Sequence, residues 1–229
     1  MIDISHADAV KSATVYRVIS ADPPWCPRDK LPGRSRGAAR NYRLMTTDQI
    51  CSFPAESGIR FADTALLALW RLGSMQEDAL RVADAWGFRV MTDAVWSKRT
   101  KDGKRWFGMG RTLRNSHEIA LICVRGSASD LVINNAIRSE FDAPVPTYWD
   151  GHPDIGTPLM DEDGEPVLDR KGRVRRVRVG DYIHSGKPDE FFDQILAPLV
   201  GTRGPNLEIF ARKRRPNWDA IGDELPAKE

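Results

Sequence analysis

Several features are scarce in this 229-residue chain, and each shortage excludes a class of protein. No run of about 18 apolar residues exists, so no transmembrane helix is predicted. Residues 1–16 carry acidic and basic side chains and lack the apolar centre of a signal peptide. The three cysteines lie far apart and form no CxxC pair, which argues against a disulfide framework and against structural zinc: Cys26, Cys51 and Cys123. We therefore expect a reduced cytoplasmic protein, in a bacterium or a phage-infected host, with no metal and no membrane partner.

The net charge of +2 conceals two strongly basic segments. In the first, six basic residues face a single acidic one: Arg28, Lys30, Arg34, Arg36, Arg40 and Arg43. In the second, seven basic residues face a single acidic one: Lys98, Arg99, Lys101, Lys104, Arg105, Arg111 and Arg114. Both segments are rich in glycine and turn residues, so they predict two loops that hold a polyanion. Two solvated loops without a binding role are the alternative.

Apolar runs of strand length alternate with helical patterns along the chain. The runs predict strands at 15–20, 64–70, 89–96, 119–124 and 207–211. One helix is predicted to begin at Thr46 or Thr47, a second to span 74–86, and a third to span 188–199 with a proline in its first turn. This alternation predicts an α/β layered domain with a mainly parallel sheet.

The segment 146–181 interrupts the alternation because it is polar and rich in turn residues. Residues 166–179 predict a β-hairpin that turns near Lys171 and Gly172. Its second arm alternates valines with arginines, including Arg173 and Arg175. An arginine-faced hairpin beside a cleft is typical of nucleic-acid recognition, whereas a surface decoration without function is the alternative.

The sequence Asp22-Pro23-Pro24-Trp25, directly after the first predicted strand, carries the clearest chemistry. The prolines hold Asp22 and Pro23 extended and donate no hydrogen bond, so the corner offers two acceptors, the Asp22 carboxylate and the Pro23 carbonyl. The exocyclic amino group of a base has two N–H donors that would satisfy both acceptors. Trp25 would offer a face on which a base extruded from its stack could lie. A rigid corner with a buried tryptophan is the alternative.

This motif resembles the DPPW catalytic motif of the adenine amino-methyltransferases, the family of the eukaryotic mRNA-adenosine methylase catalytic subunit and its bacterial and phage relatives. The likeness continues in order through nearly the whole chain except 146–181, in the segments LLALW 66–70, AWGF 85–88, VWSK 95–98, GMG 108–110, NSHE 115–118, VRG 124–126, HSGKPDE 184–190, LEIFAR 207–212 and PNW 216–218. The chain resembles the prokaryotic and phage branch more than the eukaryotic one. The resemblance implies one Rossmann-like S-adenosylmethionine-dependent methyltransferase domain over 1–229. Its motif order is permuted (beta class), and 146–181 is an inserted hairpin and candidate target-recognition element.

The resemblance also implies roles for individual residues. Asp22 and the Pro23 carbonyl would hold the target amino group, with Pro24 and Trp25 completing the catalytic motif and Trp25 stacking on the adenine. Lys187 would meet the methionine carboxylate of the cofactor. The other residues implied at the cofactor, together with Asp22, are Glu208, Arg212, Asp223, Glu224, Asp3 and Ile4. Asp223 and Glu224 are acids where the mRNA enzyme has amides, and the loop 213–215 is shorter than its counterpart. The NSHE segment 115–118 is interpreted as structural.

The sequence therefore predicts an S-adenosylmethionine-dependent enzyme that methylates the exocyclic amino group of adenine in DNA, bound by the two basic segments and by Arg173 and Arg175. RNA is the alternative substrate, because the motif does not distinguish the two sugars. A non-catalytic nucleic-acid-binding subunit and a small-molecule methyltransferase are further alternatives. The presence of Asp22 and Lys187 argues against the first, and the basic segments argue against the second. The pairing of subunits in the family implies a homodimer or a heterodimer.

Overall fold

The computed structural model describes residues 14–26, 44–108, 112–148, 150, 154–160, 166–183, 186–223 and 225. They contain a seven-stranded sheet in the order β5-β3-β4-β2-β1-β6-β7. The strands are β1 Val15–Ala21, β2 Arg60–Arg71, β3 Arg89–Arg99, β4 His117–Arg125, β5 Glu140–Pro144, β6 Asn206–Ile209 and β7 Asp219–Ile221. The helices are α1 Thr47–Glu56, α2 Gln76–Ala85 and α3 Ala197–Val200, the last directly preceded by a π-helical turn at Phe192–Leu196. Among these helices, none is long and apolar enough to cross a membrane.

One strand, β4, runs against all the others. β1 pairs in parallel with β2 and β6, β6 with β7, and β3 with β5, whereas β4 is antiparallel to both β2 and β3. The predicted α/β layered fold with a mainly parallel sheet is confirmed. Because β4 is reversed, its first residues lie at the same edge as the last residues of β1, β2, β3 and β6. We call this the carboxyl edge, and it is where α/β folds of this kind place their ligands.

Apolar side chains cover both faces of the sheet, which explains the nearly continuous buried runs of the central strands. Along β2, Leu67 and Leu69 belong to the core that includes residues of α1 and α2. The alternate side chains Leu66 and Trp70 belong to a second core, which includes Phe191 and other residues of the helical segment 190–200. Burial of each such side chain contributes about 1.5–3 kcal/mol to folding. The two cores hold the sheet rigid, so the carboxyl edge is a fixed platform.

The first helix begins where the sequence predicts. The Thr46 hydroxyl accepts a hydrogen bond from the Gln49 backbone N–H, and the Gln49 side chain accepts one from the Thr46 N–H, which forms a capping box. The predicted helix over 74–86 is also present, as a 3₁₀ turn at Gly73–Met75 followed by α2. Gly87 follows at φ +77, a left-handed conformation that glycine adopts without steric cost.

The segment between β5 and the third helical region contains the predicted hairpin. Its two arms meet at a bridge that pairs Leu168 with Val174, and the segment before the hairpin adds a bridge from Pro158 to Arg176 in the second arm. The chain reverses over Asp169–Arg173, where Gly172 has φ +74, so the turn lies near Lys171–Gly172 as predicted. At the base, the Ile183 N–H donates to the Pro146 carbonyl at 2.8 Å. The assignment of 146–181 as an inserted recognition element within a single domain stays a prediction.

Candidate active site

The Asp22-Pro-Pro-Trp25 corner continues directly from the end of β1. The Asp22 N–H extends the pairing with β6 by donating to the Ile209 carbonyl at 3.4 Å. The Trp25 N–H donates to the Pro23 carbonyl, and the Met45 N–H donates to the Pro24 carbonyl, both at 2.8 Å. These bonds add to the restriction that the prolines impose, so the corner is tightly held. The Pro23 carbonyl, one of the two predicted acceptors, keeps one lone pair for a further donor.

The ring of Trp25 lies in the apolar core and not on the surface. Trp25 is 4% exposed and belongs to the same core as Met45 and Ile50. Its indole N–H donates to the Trp70 carbonyl at 3.0 Å, which ties the corner to the end of β2. In this arrangement Trp25 anchors the corner, which is the alternative that the sequence left open. Stacking of a base on Trp25 stays a prediction.

Asp22 forms an ion pair with Lys187, the lysine that the resemblance places at the cofactor. The Lys187 Nζ lies 2.7 Å from the Asp22 Oδ2 and 3.2 Å from the Glu118 Oε2. It also lies 5.3 Å from the centre of the Trp70 ring, within range of a cation–π contact. The Lys187 side chain is 11% exposed, so the three charges interact largely away from solvent. The structure thus brings together two of the predicted site residues, Asp22 and Lys187, at the carboxyl edge.

Glu118 extends this arrangement to the end of β3. Its other oxygen, Oε1, accepts from the Lys98 ammonium, which lies 4.8 Å from the centre of the Trp96 ring. We call the alternating charges of Asp22, Lys187, Glu118 and Lys98 the edge network. Burial alone would lower the pKa of Lys187, but the Asp22 and Glu118 carboxylates outweigh it and raise that pKa. Burial alone would raise the pKa of Glu118, but the Lys187 and Lys98 ammonium groups outweigh it and lower that pKa. Glu118 and Lys187 are therefore held in their charged forms around neutral pH.

A second charged cluster adjoins the network at the end of β6. The Arg215 Nε donates to the Glu208 Oε2 at 2.9 Å, and the guanidinium lies 3.8 Å from the centre of the Phe192 ring. Asp189 accepts from both Arg215 and Lys213. Burial raises the pKa of Glu208, and the nearby Asp22 carboxylate raises it further. Because β6 lies next to β1 and Ile209 is opposite Ala21, the two clusters form one surface along the carboxyl edge.

The remaining predicted cofactor residues that the structure describes lie beside this surface. Arg212 is half-buried just past β6 and is close enough to lower the pKa of Lys187 electrostatically. Asp223 is exposed just past β7. Gly222, between β7 and Asp223, approaches so closely that a Cβ atom there would lie 2.1 Å from the Ala211 carbonyl, so only glycine fits. The other predicted cofactor residues lie outside the described residues: Asp3, Ile4 and Glu224.

The predicted nucleic-acid-binding residues fall into three groups. One group lies outside the described residues: Arg28, Lys30, Arg34, Arg36, Arg40, Arg43 and Arg111. Another group is exposed on the loop after β3 and on the hairpin: Lys104, Arg105, Arg114, Arg173 and Arg175. Arg173 pairs with Asp169 at 2.8 Å, and Arg175 lies 3.6 Å from Asp181. Lys98 stands apart, because its side chain is only 16% exposed and its ammonium belongs to the edge network.

Three residues of the carboxyl edge were not predicted from the sequence: Glu118, Asp189 and Arg215. Glu118 was interpreted as structural, but it is the only carboxylate among the described residues whose contacts join Lys98 to Lys187. Its place at the site depends on the antiparallel direction of β4, which brings the first residues of that strand to the carboxyl edge. Asp189 and Arg215 flank predicted residues in the sequence, and the contact between them was accessible only from the fold.

The chemistry of the edge fits S-adenosylmethionine, the cofactor that the resemblance implies. This cofactor carries a carboxylate, an ammonium, a cationic sulfonium and a ribose diol. Lys187 supplies a cation for the carboxylate, Asp22 supplies a carboxylate for the cationic groups, and Glu208 supplies oxygen acceptors for the hydroxyls. In the part of the chain that the structure describes, no group of three or more His, Cys, Asp or Glu side chains is arranged to hold a metal ion.

The amino-acid sequence of the chain matches a known protein family and several of its members. The MT-A70 family model matches residues 16–145 and 170–224, and the unmatched stretch between them lies within the predicted insertion. The chain is 25% identical over 97% of its length to the N(6)-adenosine-methyltransferase catalytic subunit METTL3 of Homo sapiens. It is also 25% identical over 92% of its length to the N(6)-adenosine-methyltransferase MT-A70-like protein of Drosophila melanogaster. The chain spans only 27% to 30% of the length of these relatives. The protein belongs to the MT-A70 family.

Proposed function

We propose that the protein is an S-adenosylmethionine-dependent methyltransferase acting on the exocyclic amino group of adenine in nucleic acid. The observation that carries this proposal is the Asp22–Lys187 ion pair at the carboxyl edge. In this pair, Asp22 is an acceptor suited to an amino group, and Lys187 is a cation suited to the carboxylate of the cofactor. The relatives named N(6)-adenosine-methyltransferases support adenine as the base.

Asp22 has a specific task in this reaction. The lone pair of an adenine amino nitrogen is delocalised into the ring, so the nitrogen is a poor nucleophile. A fixed carboxylate that accepts one N–H, together with the Pro23 carbonyl, favours a pyramidal nitrogen whose lone pair is free to attack in line. When bound, S-adenosylmethionine supplies a methyl group made electrophilic by its sulfonium. The target nitrogen, oriented by Asp22 and the Pro23 carbonyl, would take the methyl group as the sulfonium becomes a neutral thioether, and the Asp22 carboxylate would pass the released amino proton to solvent.

Lys187 and Glu118 hold Asp22 in place for this task. Lys187 fixes one Asp22 oxygen at 2.7 Å, and Glu118 fixes Lys187 from the other side at 3.2 Å. Held from two sides, the ammonium orients Asp22 and offers its charge to the carboxylate of the cofactor. Glu118 and Lys98 are therefore positioning residues, since they act through Lys187.

The basic surface beside the edge supports nucleic acid as the substrate. The rings of Trp106, in the loop after β3, and Tyr182, at the base of the hairpin, meet edge to face at 4.6 Å. The hairpin base at Ile183 lies four residues before Lys187 in the sequence. The contact between Trp106 and Tyr182 places the base of the hairpin beside the loop after β3, and both segments carry exposed basic side chains that suit a phosphate backbone. A small-molecule substrate would not contact these exposed basic side chains.

We propose DNA as the favoured polymer and RNA as the second candidate. A two-stranded β-ribbon fits the major groove of DNA, whereas the major groove of an RNA helix is too narrow for side chains to enter. The arginine-bearing hairpin therefore favours DNA. The names of the relatives, which are adenosine methyltransferases, favour RNA. As a family member the protein is further proposed to act as a homodimer or with a related subunit.

The proposal is tested by transfer of labelled methyl from S-adenosylmethionine to single-stranded DNA, duplex DNA and RNA of matched sequence. We expect label on one polymer, and about 100- to 1,000-fold less transfer with Asp22→Asn. Absence of transfer to all three, with cofactor binding intact, would indicate that a partner subunit is missing. Absence of both transfer and cofactor binding would contradict the enzymatic function.

A further inference from the structure

The loop between β3 and β4 exposes two large apolar side chains. Phe107 is 75% exposed and Leu113 is 79% exposed. They are the two most exposed of the large hydrophobic residues that the structure describes. A phenyl ring exposed to this extent offers a flat face on which a planar ligand can stack.

The backbone around Phe107 fixes its outward direction. The Trp106 N–H donates to the Lys98 carbonyl at 3.0 Å, and the Gly108 N–H donates to the Asn115 carbonyl at 3.1 Å. Trp106 packs against Tyr182, and Phe107 next to it is exposed to solvent. A Cβ atom on Gly108 would lie 2.3 Å from the Asn115 carbonyl oxygen, so glycine is needed at this close approach. The backbone on both sides of the exposed phenyl ring is therefore held by hydrogen bonds.

The charges around Phe107 are positive. The Arg114 guanidinium lies 5.1 Å from the centre of the Phe107 ring. Lys104 and Arg105, both exposed, precede it in the same loop. An exposed aromatic ring among cations matches a nucleic-acid strand, whose bases stack on the ring while its phosphates meet the cations. A protein partner with an apolar surface would instead have to bury these cations without partners.

We propose that Phe107 stacks on a nucleobase that neighbours the target adenine, with Arg114 beside the adjoining phosphate. The proposal rests on a nucleic-acid substrate for the edge network. The two features are joined by Lys98, whose carbonyl pairs with Trp106 and whose ammonium contacts Glu118. A base stacked on Phe107 would therefore lie on the loop whose backbone is bonded to Lys98 of the edge network.

The test is a binding measurement on the full chain with a short oligothymidine strand that carries one adenine. Phe107→Ala should bind this strand about 5- to 140-fold more weakly, the range that a lost base–aromatic stack gives. Phe107→Trp should retain the affinity, because it keeps a flat ring. Leu80→Ala is the matched control, since it removes an exposed apolar side chain from α2 and should bind as the wild type does.

Abasic substitutions separate stacking from a general loss of structure. Removing the base on one side of the adenine should weaken binding by the wild type, and the same removal should have no further effect on Phe107→Ala. Equal affinities of wild type and Phe107→Ala, or equal abasic penalties in both, would overturn the proposal. The proposal would also be overturned if Phe107→Ala changed the mass of the assembly and left the affinity for the strand unchanged. That result would identify Phe107 as part of a subunit interface. Methyl transfer by the wild type is measured separately, so failure of the enzymatic function is distinguishable from failure of the stacking contact.

Discussion

The Lys187 ammonium lies 2.7 Å from the Asp22 carboxylate, although 165 residues separate the two in the sequence. β1 brings Asp22 to the carboxyl edge, and the chain returns to the same edge after the hairpin to deliver Lys187. Ion pairs with little solvent access gain little net stability, because both charges lose their hydration. We therefore interpret this pair as a feature of the site, held ready for a substrate amino group and a cofactor carboxylate.

Substitution of the acceptor tests the role of Asp22 in the chemical step. Asp22→Asn keeps the shape of the side chain but removes the charge and one acceptor site. Methyl transfer should fall about 100- to 1,000-fold, as for the loss of one preorganised polar group in other active sites. The rate is measured with saturating cofactor and nucleic acid. An unchanged melting temperature would show that the fold is retained, and an unchanged rate would remove Asp22 from the mechanism.

Substitution of the cation tests the role of Lys187 at the cofactor. Lys187→Met keeps the length of the side chain and removes its charge, so S-adenosylmethionine should bind about 10- to 150-fold more weakly. The variant should also lose about 1–3 kcal/mol of stability, because Asp22 loses its cation and Glu118 keeps only Lys98. Calorimetric titration and denaturant unfolding measure the two effects. Lys101→Met, which changes an exposed lysine of the adjacent turn, should alter neither.

The edge network predicts a specific dependence of stability on pH. The pKa of Glu118 is lowered in the folded protein, so its contribution to the free energy of unfolding is present above the ordinary value of 4.5 and is lost as the pH falls below it. The pKa of Lys187 is raised, so its contribution is present below the ordinary value of 10.5 and is lost as the pH rises through the folded value. Glu118→Gln should therefore lose less stability than the wild type between neutral pH and a pH below 4.5. The control Glu56→Gln, at an exposed end of α1, should follow the wild type, and a Glu118→Gln curve parallel to that of the wild type would contradict the prediction.

The salt dependence of binding tests the basic surface. Each of Arg114→Ala, Arg173→Ala and Arg175→Ala should reduce the slope of log affinity against log salt by about 0.7 on single strands and about 0.9 on duplex DNA. Arg60→Ala serves as the control, because Arg60 is exposed at the start of β2, at the opposite edge of the sheet. Slopes that are unchanged in all three variants would show that the loop and the hairpin do not bind phosphate.

Local signals made much of this fold predictable. The apolar run before Asp22 predicted β1, because both faces of that strand are buried. Thr46 predicted the start of α1, because its capping partner Gln49 is only three residues away in the sequence. The edge strands β5 and β7 were missed, since they have five and three residues and carry polar side chains. The helix predicted over 188–199 is helical, but its middle turn is a π-helix, a distinction that apolar periodicity does not reveal.

The site was predictable only where one segment carries its chemistry. Asp22 was identified because prolines on its carboxyl side restrict the backbone, and Lys187 through the resemblance. The position of Glu118 at the site depends on the antiparallel direction of β4, and no local sequence pattern predicts that direction. The direction in which the Trp25 ring points depends on the packing of β2 and α1, so the sequence left its stacking and its burial as equal alternatives.

The most direct test of the central claim identifies the modified atom. Nucleic acid treated with the protein and S-adenosylmethionine is digested to nucleosides, and the methylated product is assigned by mass spectrometry for wild type and Asp22→Asn. The account predicts methyl on the exocyclic amino nitrogen of adenine with the wild type and almost none with Asp22→Asn. Methyl on another atom or another base, or equal yields from the two proteins, would contradict it.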